Sequence, residues 1–148
     1  MSKHETPLTR KYWLSVGGTL VEEFPVVRRS ATCAQRLLDG LIVLDGKNRI
    51  AKADEVSIEG MDVIVLQTKA NRLGMYLMGQ AFFSRELVKA FKPNSIRTVA
   101  ICAQDDYEMH ALCDIFQIEV VIFGTEKNFN SEPNNFNLNQ NESNQIPQ

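Results

Sequence analysis

The sequence predicts a mixed α/β sandwich, in which helices pack against a central sheet of about five strands. Apolar runs rich in β-branched residues are typical of buried strands, and they alternate with segments whose apolar residues recur at helical spacing. The last strand, helix and strand follow one another closely enough to form a parallel crossover unit. With 148 residues, of which 44% are hydrophobic and 23% charged, the chain has the size and composition of one ordinary globular domain.

Composition excludes several classes of protein. No stretch approaches the ~18 to 20 consecutive apolar residues that span a bilayer, and the polar start MSKHETPLTRKYW lacks a signal core. We therefore expect a cytoplasmic protein without a membrane partner. Cys33, Cys102 and Cys113 form an odd set without CxxC spacing, which argues against a disulfide framework and a structural zinc site. The net charge of −2 excludes binding by bulk positive charge, so contact with nucleic acid requires a local basic patch or a metal.

Domain boundaries follow from a change in composition after residue 124. Residues 125–148 are crowded with Asn, Gln and Ser and hold too few apolar residues to offset the entropy of ordering, so a disordered tail is predicted there. Residues 1–9 are predicted to be a flexible arm. The folded core is expected to span residues 10–124.

The opening of the core permits two interpretations. A helix would place five apolar residues on one face: Trp13, Val16, Leu20, Phe24 and Val27. However, Gly17, Gly18 and Pro25 are poor residues for a helix interior, and LVEEFPVV is equally compatible with an extended segment. The sequence favours a helix before Gly17 and leaves the rest open.

The remaining elements are predicted in chain order. Apolar runs at 36–44 and 62–69, with a turn at 45–48 after the first, indicate two or three antiparallel strands. Helical periodicity over about 73–91 is stopped by Pro93. Two further buried strands, 96–103 and 118–123, enclose a helix that Asp105 and Asp106 are expected to cap and that ends near Ile115.

One of the apolar strands, 62–69, ends in polar side chains. Because alternate side chains of a strand share a face, Gln67 and Lys69 continue the face of Val63 and Val65. Asp39 stands near the start of the neighbouring apolar run. A hairpin would bring an acid, an amide oxygen and an amine together at one end of the sheet.

Asp39, followed by Gln67-Thr68-Lys69 on an apolar strand and then by a helix, resembles the PD-(D/E)xK nuclease superfamily. The resemblance spans residues 19–123. It implies a restriction-endonuclease-like fold, with a three-layer core around a mixed sheet, and hydrolysis of phosphodiester bonds, usually in DNA. The implied cofactor is Mg²⁺ or Mn²⁺.

The resemblance also implies a role for each residue. Asp39 would be the principal metal ligand, since hard divalent cations prefer oxygen. Gln67 stands where the family usually has an acid; its oxygen can coordinate a metal but carries no charge. Lys69 would orient or activate the attacking water and offset developing negative charge. Relatives often draw another acid from the first helix, for which Glu23 is the first candidate metal ligand and Glu22 the second. If that segment is a strand, its register decides between them.

The second helix contributes Gln80, which falls near the centre of a buried face and needs a hydrogen-bond partner there. Some nucleases of the superfamily place a helix glutamine beside the active site, with Tyr four residues later, where this chain has Ser84. Gln80 is thus either a structural hydrogen-bonding residue or part of the site.

Simpler interpretations exist for each residue. Asp39 can satisfy backbone donors at a strand end, Gln67 can be an edge residue, and Lys69 can reach solvent. Arg36 and Arg72, which lie near Lys69 in the expected register, are predicted to bind phosphate, with DNA as the partner. The alternative to a nuclease is a non-catalytic module of the same fold that binds nucleic acid or assembles with proteins.

An apolar stripe on the opposite face of the second helix predicts a homodimer interface, unless another element of the fold covers it. The stripe consists of Met75, Met78 and Phe82.

Overall fold

The computed structural model describes residues 1–124, in which three α-helices flank a six-stranded mixed sheet. The strand order is β3-β1-β2-β4-β5-β6. The elements are α1 (Glu5–Val16), β1 (Thr19–Val27), β2 (Arg36–Val43), β3 (Arg49–Ala51), β4 (Asp62–Thr68), α2 (Met75–Val88), β5 (Ser95–Cys102), α3 (Tyr107–Ile115) and β6 (Ile118–Ile122). The predicted α/β class is confirmed. The predicted tail, 125–148, lies outside the described residues.

The sheet combines an antiparallel half with a parallel half. Strands β1, β2 and β4 pair antiparallel, whereas β4, β5 and β6 pair parallel through the crossovers of α2 and α3. This confirms the predicted strand-helix-strand unit at the end of the domain. The sixth strand is β3, a short edge strand parallel to β1 that follows the predicted turn. With only three residues, β3 is too short to leave a periodic signal in the sequence.

Helices cover both faces of the sheet, which gives three layers. α1 packs on one face, where Tyr12 joins a buried cluster with strand residues such as Ile42 and Ile64. α2 and α3 pack on the other face, where Leu77 and Cys113 meet Ala100. No helix within residues 1–124 has the length and apolar character needed to cross a bilayer.

The opening segment resolves into a helix followed by a strand. α1 ends at Val16, and Gly17 and Gly18 both adopt positive φ, 75° and 80°. A side chain at Gly18 would collide with the carbonyl oxygen of Val43, so glycine is required where the chain enters β1. The helix favoured before Gly17 is confirmed, and LVEEFPVV is extended.

α1 begins earlier than predicted, because residues 5–9 form its first turns although they were expected in a flexible arm. Tertiary contacts explain this difference. Thr9 is fully buried, and its hydroxyl lies 2.8 Å from that of Thr68 on β4. Gly40 allows this close packing, since a Cβ there would lie only 3.2 Å from Leu20, Leu66 and Thr9.

The β1-β2 ladder is irregular: its register shifts between Pro25 and Val27, and the alternation of side chains breaks at Glu23. Glu23 has φ of 52°, a left-handed conformation that is costly for a residue with a Cβ. Consequently Val21 and Phe24, three positions apart, both join the core cluster on the α2 face, and Leu38 and Leu41 of β2 do the same. Asp39 lies within the irregular part of β2, so alternation alone does not fix its direction.

The predicted apolar stripe on α2 is only partly exposed. Met75 is 77% exposed, but Met78 and Phe82 are half-buried against the core cluster that includes α3. The ring of Phe82 packs edge-on against Phe116, with centroids 5.9 Å apart. Met75, Met78 and Phe82 therefore do not form one exposed face, because α3 and the turn after it cover that flank. The homodimer itself stays a prediction.

Candidate active site

The candidate site lies where β2 leaves its pairing with β4. Their ladder ends at the Gly40-Leu66 pair, and the next residue of β2, Asp39, turns its carboxylate toward the end of β4. Asp39 Oδ2 accepts a hydrogen bond of 2.8 Å from the backbone N–H of Thr68. Asp39 is thus held beside the Gln67-Thr68-Lys69 segment, as the order of these residues in the sequence predicted.

The environment of Asp39 opposes its ionisation. Burial is the main cause that raises the pKa of this carboxyl, and the negative charge of Glu5 acts in the same direction. The Thr68 N–H and the positive charge of Lys69 offset part of this effect. A partly buried carboxyl with a raised pKa is a frequent feature of functional sites, and a nearby cation would favour its ionised form.

Lys69 forms an ion pair with Glu5, a residue that the sequence analysis did not identify as part of the site. Its Nζ lies 3.3 Å from Glu5 Oε1, and the exposed fractions of the two side chains are 28% and 12%. The Lys69 ammonium also lies 5.6 Å from the centre of the Tyr76 ring on α2. Glu5 stands in the first turn of α1, so the first helix does contribute an acid, but from a segment expected to be a flexible arm.

The ionisation of Glu5 is balanced differently from that of Asp39. Burial acts to raise the pKa of Glu5, but hydrogen bonds from the Ser2 backbone N–H and from Lys69 outweigh it and lower the pKa. The Ser2 N–H donates to Oε2 at 2.9 Å, while Lys69 faces Oε1. Glu5 is therefore the more readily ionised of the two carboxyls.

Gln67 is buried, with 3% of its surface exposed, and it faces α2. Its Nε2 donates a hydrogen bond of 2.8 Å to the hydroxyl of Ser84. Thr68 faces α1, where its hydroxyl meets Thr9. No hydrogen bond of the described residues uses Gln67 Oε1, so the amide is anchored by its nitrogen and retains an oxygen acceptor.

Glu22 and Glu23, for which the sequence left helix and strand open, lie on β1, because the two glycines end α1 before β1 begins. Glu22 forms a two-bond ion pair with Arg10, at 2.7 and 3.0 Å. Glu23 accepts a hydrogen bond of 3.1 Å from the amino group of Met1, which lies near enough to Asp39 to affect its pKa. A metal-binding role for Glu23 stays a prediction.

The predicted phosphate-binding arginines differ in their surroundings. Arg36 is exposed at the start of β2 and shares a groove with Gln67 and Gln80. Arg72 donates a hydrogen bond of 2.9 Å to the backbone carbonyl of Asp105, which ties it to the loop before α3. Arg36 is the one whose guanidinium forms no ion pair or hydrogen bond within residues 1–124.

Gln80 is half-buried on α2, and its Oε1 is buried without any hydrogen-bond partner in the described part of the chain. The partner that the sequence analysis required is thus not supplied by the described residues.

Asp106 caps α3 as predicted, since its carboxylate accepts a hydrogen bond from the Met109 N–H at 3.1 Å. Asp105 binds His110 instead, at 2.9 Å.

The two carboxylates beside Lys69, those of Glu5 and Asp39, suit a hard divalent cation, because Mg²⁺ commonly uses one or two carboxylates together with waters and substrate phosphate. The structure does not bring the Gln67 amide to them, since this side chain faces α2 and is bonded to Ser84. Within residues 1–124, no group of three or more His, Cys, Asp and Glu side chains has the arrangement of a metal site. A cation here would therefore depend on water and on substrate for its remaining ligands.

Comparisons with protein-family models, with curated protein sequences and with solved structures find no match to this chain. Any function proposed for this chain therefore rests on its fold and on the geometry of the candidate site.

Proposed function

We propose that this protein is a Mg²⁺-dependent nuclease of the PD-(D/E)xK type, with a restriction-endonuclease-like core, that hydrolyses phosphodiester bonds in DNA. One observation supports this more than any other. Asp39 binds the backbone of Thr68 at 2.8 Å, next to Lys69, whose ammonium meets Glu5 at 3.3 Å. Two acids and a lysine from three separate segments thus converge at the end of one strand.

Each side chain of the site has a separate role in the proposed hydrolysis. The carboxylates of Asp39 and Glu5 would hold the cation, and the oxygen of Gln67 would join them after its side chain rotates away from Ser84. When bound, Mg²⁺ would lower the pKa of a water ligand and neutralise charge on the phosphate. Lys69 would orient the attacking water and stabilise the negative charge that develops on the phosphate oxygens. Its contact with Glu5 keeps the ammonium beside the proposed cation site.

DNA binding would depend on local positive charge, because the chain as a whole carries −2. Arg36 and Lys69 can contact phosphates next to the site, and a contact of this kind weakens as salt concentration rises. Cleavage of DNA fits the cytoplasmic location that the sequence predicts. The uncharged Gln67 favours a second candidate, a non-catalytic module of the same fold that binds nucleic acid, since one carboxylate fewer lowers metal affinity.

Cleavage assays separate the two candidates. Purified protein is incubated with Mg²⁺ or Mn²⁺ and with single- and double-stranded DNA, beside Asp39→Ala, Lys69→Ala and the control Lys89→Ala. Lys89 is a surface lysine paired with Glu86 at 2.7 Å. We expect cleavage that EDTA stops and that only the Asp39 and Lys69 variants lack. Equal cleavage by all variants would reveal a contaminating nuclease, and DNA binding without cleavage by the wild type would favour the binding module.

A further inference from the structure

A groove of about 510 Å³ lies beside the candidate site, between α2 and the strands that carry Arg36 and Gln67. Its buried base is polar, since Gln67 and Ser84 are 3% and 7% exposed and are hydrogen-bonded to each other. Its volume falls within the range of pockets that enclose small molecules. Arg36 and Gln67, which the nuclease proposal uses, line one edge of this groove, whereas Tyr76, Gln80 and Phe83 have no part in that chemistry.

Two aromatic side chains of α2 line the groove without being covered. Tyr76 is 73% exposed and Phe83 is 65% exposed. Exposed aromatic rings next to a basic residue are the surfaces on which unpaired bases stack. The ring of Tyr76 also lies 5.6 Å from the Lys69 ammonium, so the groove begins where the candidate active site ends.

Gln80 supplies an unsatisfied acceptor in the same groove. Its Oε1 is buried without a hydrogen-bond partner in the described residues, which is unfavourable unless a donor is present in the functional complex. Because Gln80 lines the groove, a small rotation of its side chain would bring Oε1 within reach of a donor on a ligand bound there. The exocyclic amino groups of adenine, cytosine and guanine are donors of this kind.

We propose that this groove binds an unpaired nucleobase next to the scissile phosphate, so that the substrate is single-stranded DNA or a duplex with unpaired nucleotides. Tyr76 and Phe83 stack on the base, Gln80 accepts a hydrogen bond from its amino group, and Arg36 contacts the backbone. A second copy of the chain fits less well, because an apolar contact would leave the Gln80 oxygen without a donor. This inference rests on the proposed function and names its substrate class.

Binding is measured by fluorescence anisotropy of labelled oligonucleotides, with Ca²⁺ in place of Mg²⁺ to hold cleavage low. We expect the single strand to bind more tightly than its duplex. Tyr76→Ala and Phe83→Ala should each weaken single-strand binding by about 5-fold to 150-fold, the usual loss for one stacked base. The matched control is Tyr107→Ala on α3, where an 87% exposed tyrosine lies outside the groove and should have no effect.

Gln80→Leu tests the hydrogen bond apart from stacking. Oligo-dA and oligo-dC should bind the wild type more tightly than oligo-dT, which lacks an exocyclic amino group, and the variant should lose this preference while retaining its fold. Equal affinities across the groove variants, or a preference for duplex, would overturn the inference. So would a change from dimer to monomer in light scattering when Tyr76 or Phe83 is replaced, with DNA binding unaltered.

The results also separate this inference from the nuclease proposal. Cleavage that depends on Asp39 but is insensitive to Tyr76, Phe83 and Gln80 would refute the groove alone. Single-strand binding that depends on the groove, without any cleavage by the wild type, would refute the nuclease alone.

Discussion

Glu5 Oε1 lies 3.3 Å from the ammonium of Lys69, although 64 positions separate the two residues in the chain. The pair joins the first turn of α1 to the residue that follows β4. Its charges also act on Asp39, whose pKa Glu5 raises and Lys69 lowers. The ionisation of Asp39 therefore depends on the charges of both Glu5 and Lys69.

Replacement of Glu5 tests whether it is the acid that the first helix contributes. Glu5→Gln keeps the shape of the side chain but removes its charge, so we expect at least about a tenfold loss of metal affinity and a matching loss of cleavage at limiting Mg²⁺. Glu22→Gln and Glu23→Gln should have little effect, since these side chains bind Arg10 and the Met1 amino group. Mg²⁺ titrations of cleavage compare the three. Loss in Glu23→Gln with normal activity in Glu5→Gln would reverse the assignment.

Periodicity was sufficient to predict β2, β4, β5, β6, α2 and α3, but it left β1 open between helix and strand and missed β3 and the start of α1. The segment before Arg10 contains Pro7 and few apolar residues, so it lacks the spacing that indicates a helix. The sequence did contain a signal for the N-terminus of a helix. Proline is tolerated in the first turn of a helix, and an acidic residue there complements the helix dipole. Glu5 precedes Pro7 by two positions and fits this pattern.

Side-chain direction was predictable for β4 and not for β2. Alternation placed Gln67 and Thr68 on opposite faces, and their contacts with Ser84 of α2 and Thr9 of α1 confirm it. Asp39 lies where alternation breaks opposite Glu23, and a left-handed glutamate inside a strand has no sequence signature. The partner of Gln80 was also beyond prediction, because the described part of the chain does not contain one.

Gln67→Glu tests the uncharged position in the site. A carboxylate buried at position 67, where 3% of the side chain is exposed, should lower the melting temperature without metal, because burial penalises its ionisation. With Mg²⁺ the variant should bind more tightly than the wild type and recover stability, since a ligand bound only by the folded state stabilises it. Thermal unfolding across a Mg²⁺ series measures both effects.

Gln67→Leu is the matched control for this experiment, because it removes both the oxygen and the hydrogen bond to Ser84. Its melting temperature should not respond to Mg²⁺ more than that of the wild type. A Gln67→Glu protein that shows no greater Mg²⁺-dependent stabilisation than the wild type would place the cation away from this side chain.

The raised pKa of Asp39 predicts a pH-dependent stability. The folded state binds the Asp39 proton more tightly than the unfolded state, so this group's stabilising contribution is complete below its unfolded pKa and is lost as pH rises through its folded pKa. Asp39→Asn should therefore unfold at higher denaturant than the wild type at neutral pH, and this difference should vanish in acid. Urea unfolding at both pH values measures it.

Asp62→Asn should change the stability at neutral pH in the opposite direction to Asp39→Asn. Hydrogen bonds from Ser95 and Asn94 lower the pKa of Asp62, so its stabilising contribution is present above its unfolded pKa and is lost as pH falls through the folded pKa. This variant should be less stable than the wild type at neutral pH. A destabilised Asp39→Asn at neutral pH would show that the carboxylate is stabilised more than burial penalises it.

Glu23→Gly tests the cost of the left-handed residue in β1. Glycine adopts a φ near 52° without steric penalty, so we expect stability to rise by about 1 kcal/mol. Glu23→Ala loses the same contact with Met1 but retains a Cβ, and it should not gain stability. Chemical denaturation of both variants separates the backbone effect from the lost contact. Equal stability of the two would mean that the strain is relieved elsewhere in the strand.

The hydroxyl pair of Thr9 and Thr68 should hold α1 against the sheet. The two oxygens lie 2.8 Å apart and are buried, so replacing either threonine by valine leaves the other hydroxyl without this partner. Each single variant should lose about 1 to 3 kcal/mol of stability, whereas the double variant should lose less than the sum. A double-mutant cycle of urea unfolding measures this coupling. Because α1 also carries Glu5, the single variants should need more Mg²⁺ for cleavage, and strictly additive losses would show that the hydroxyl pair does not anchor the helix.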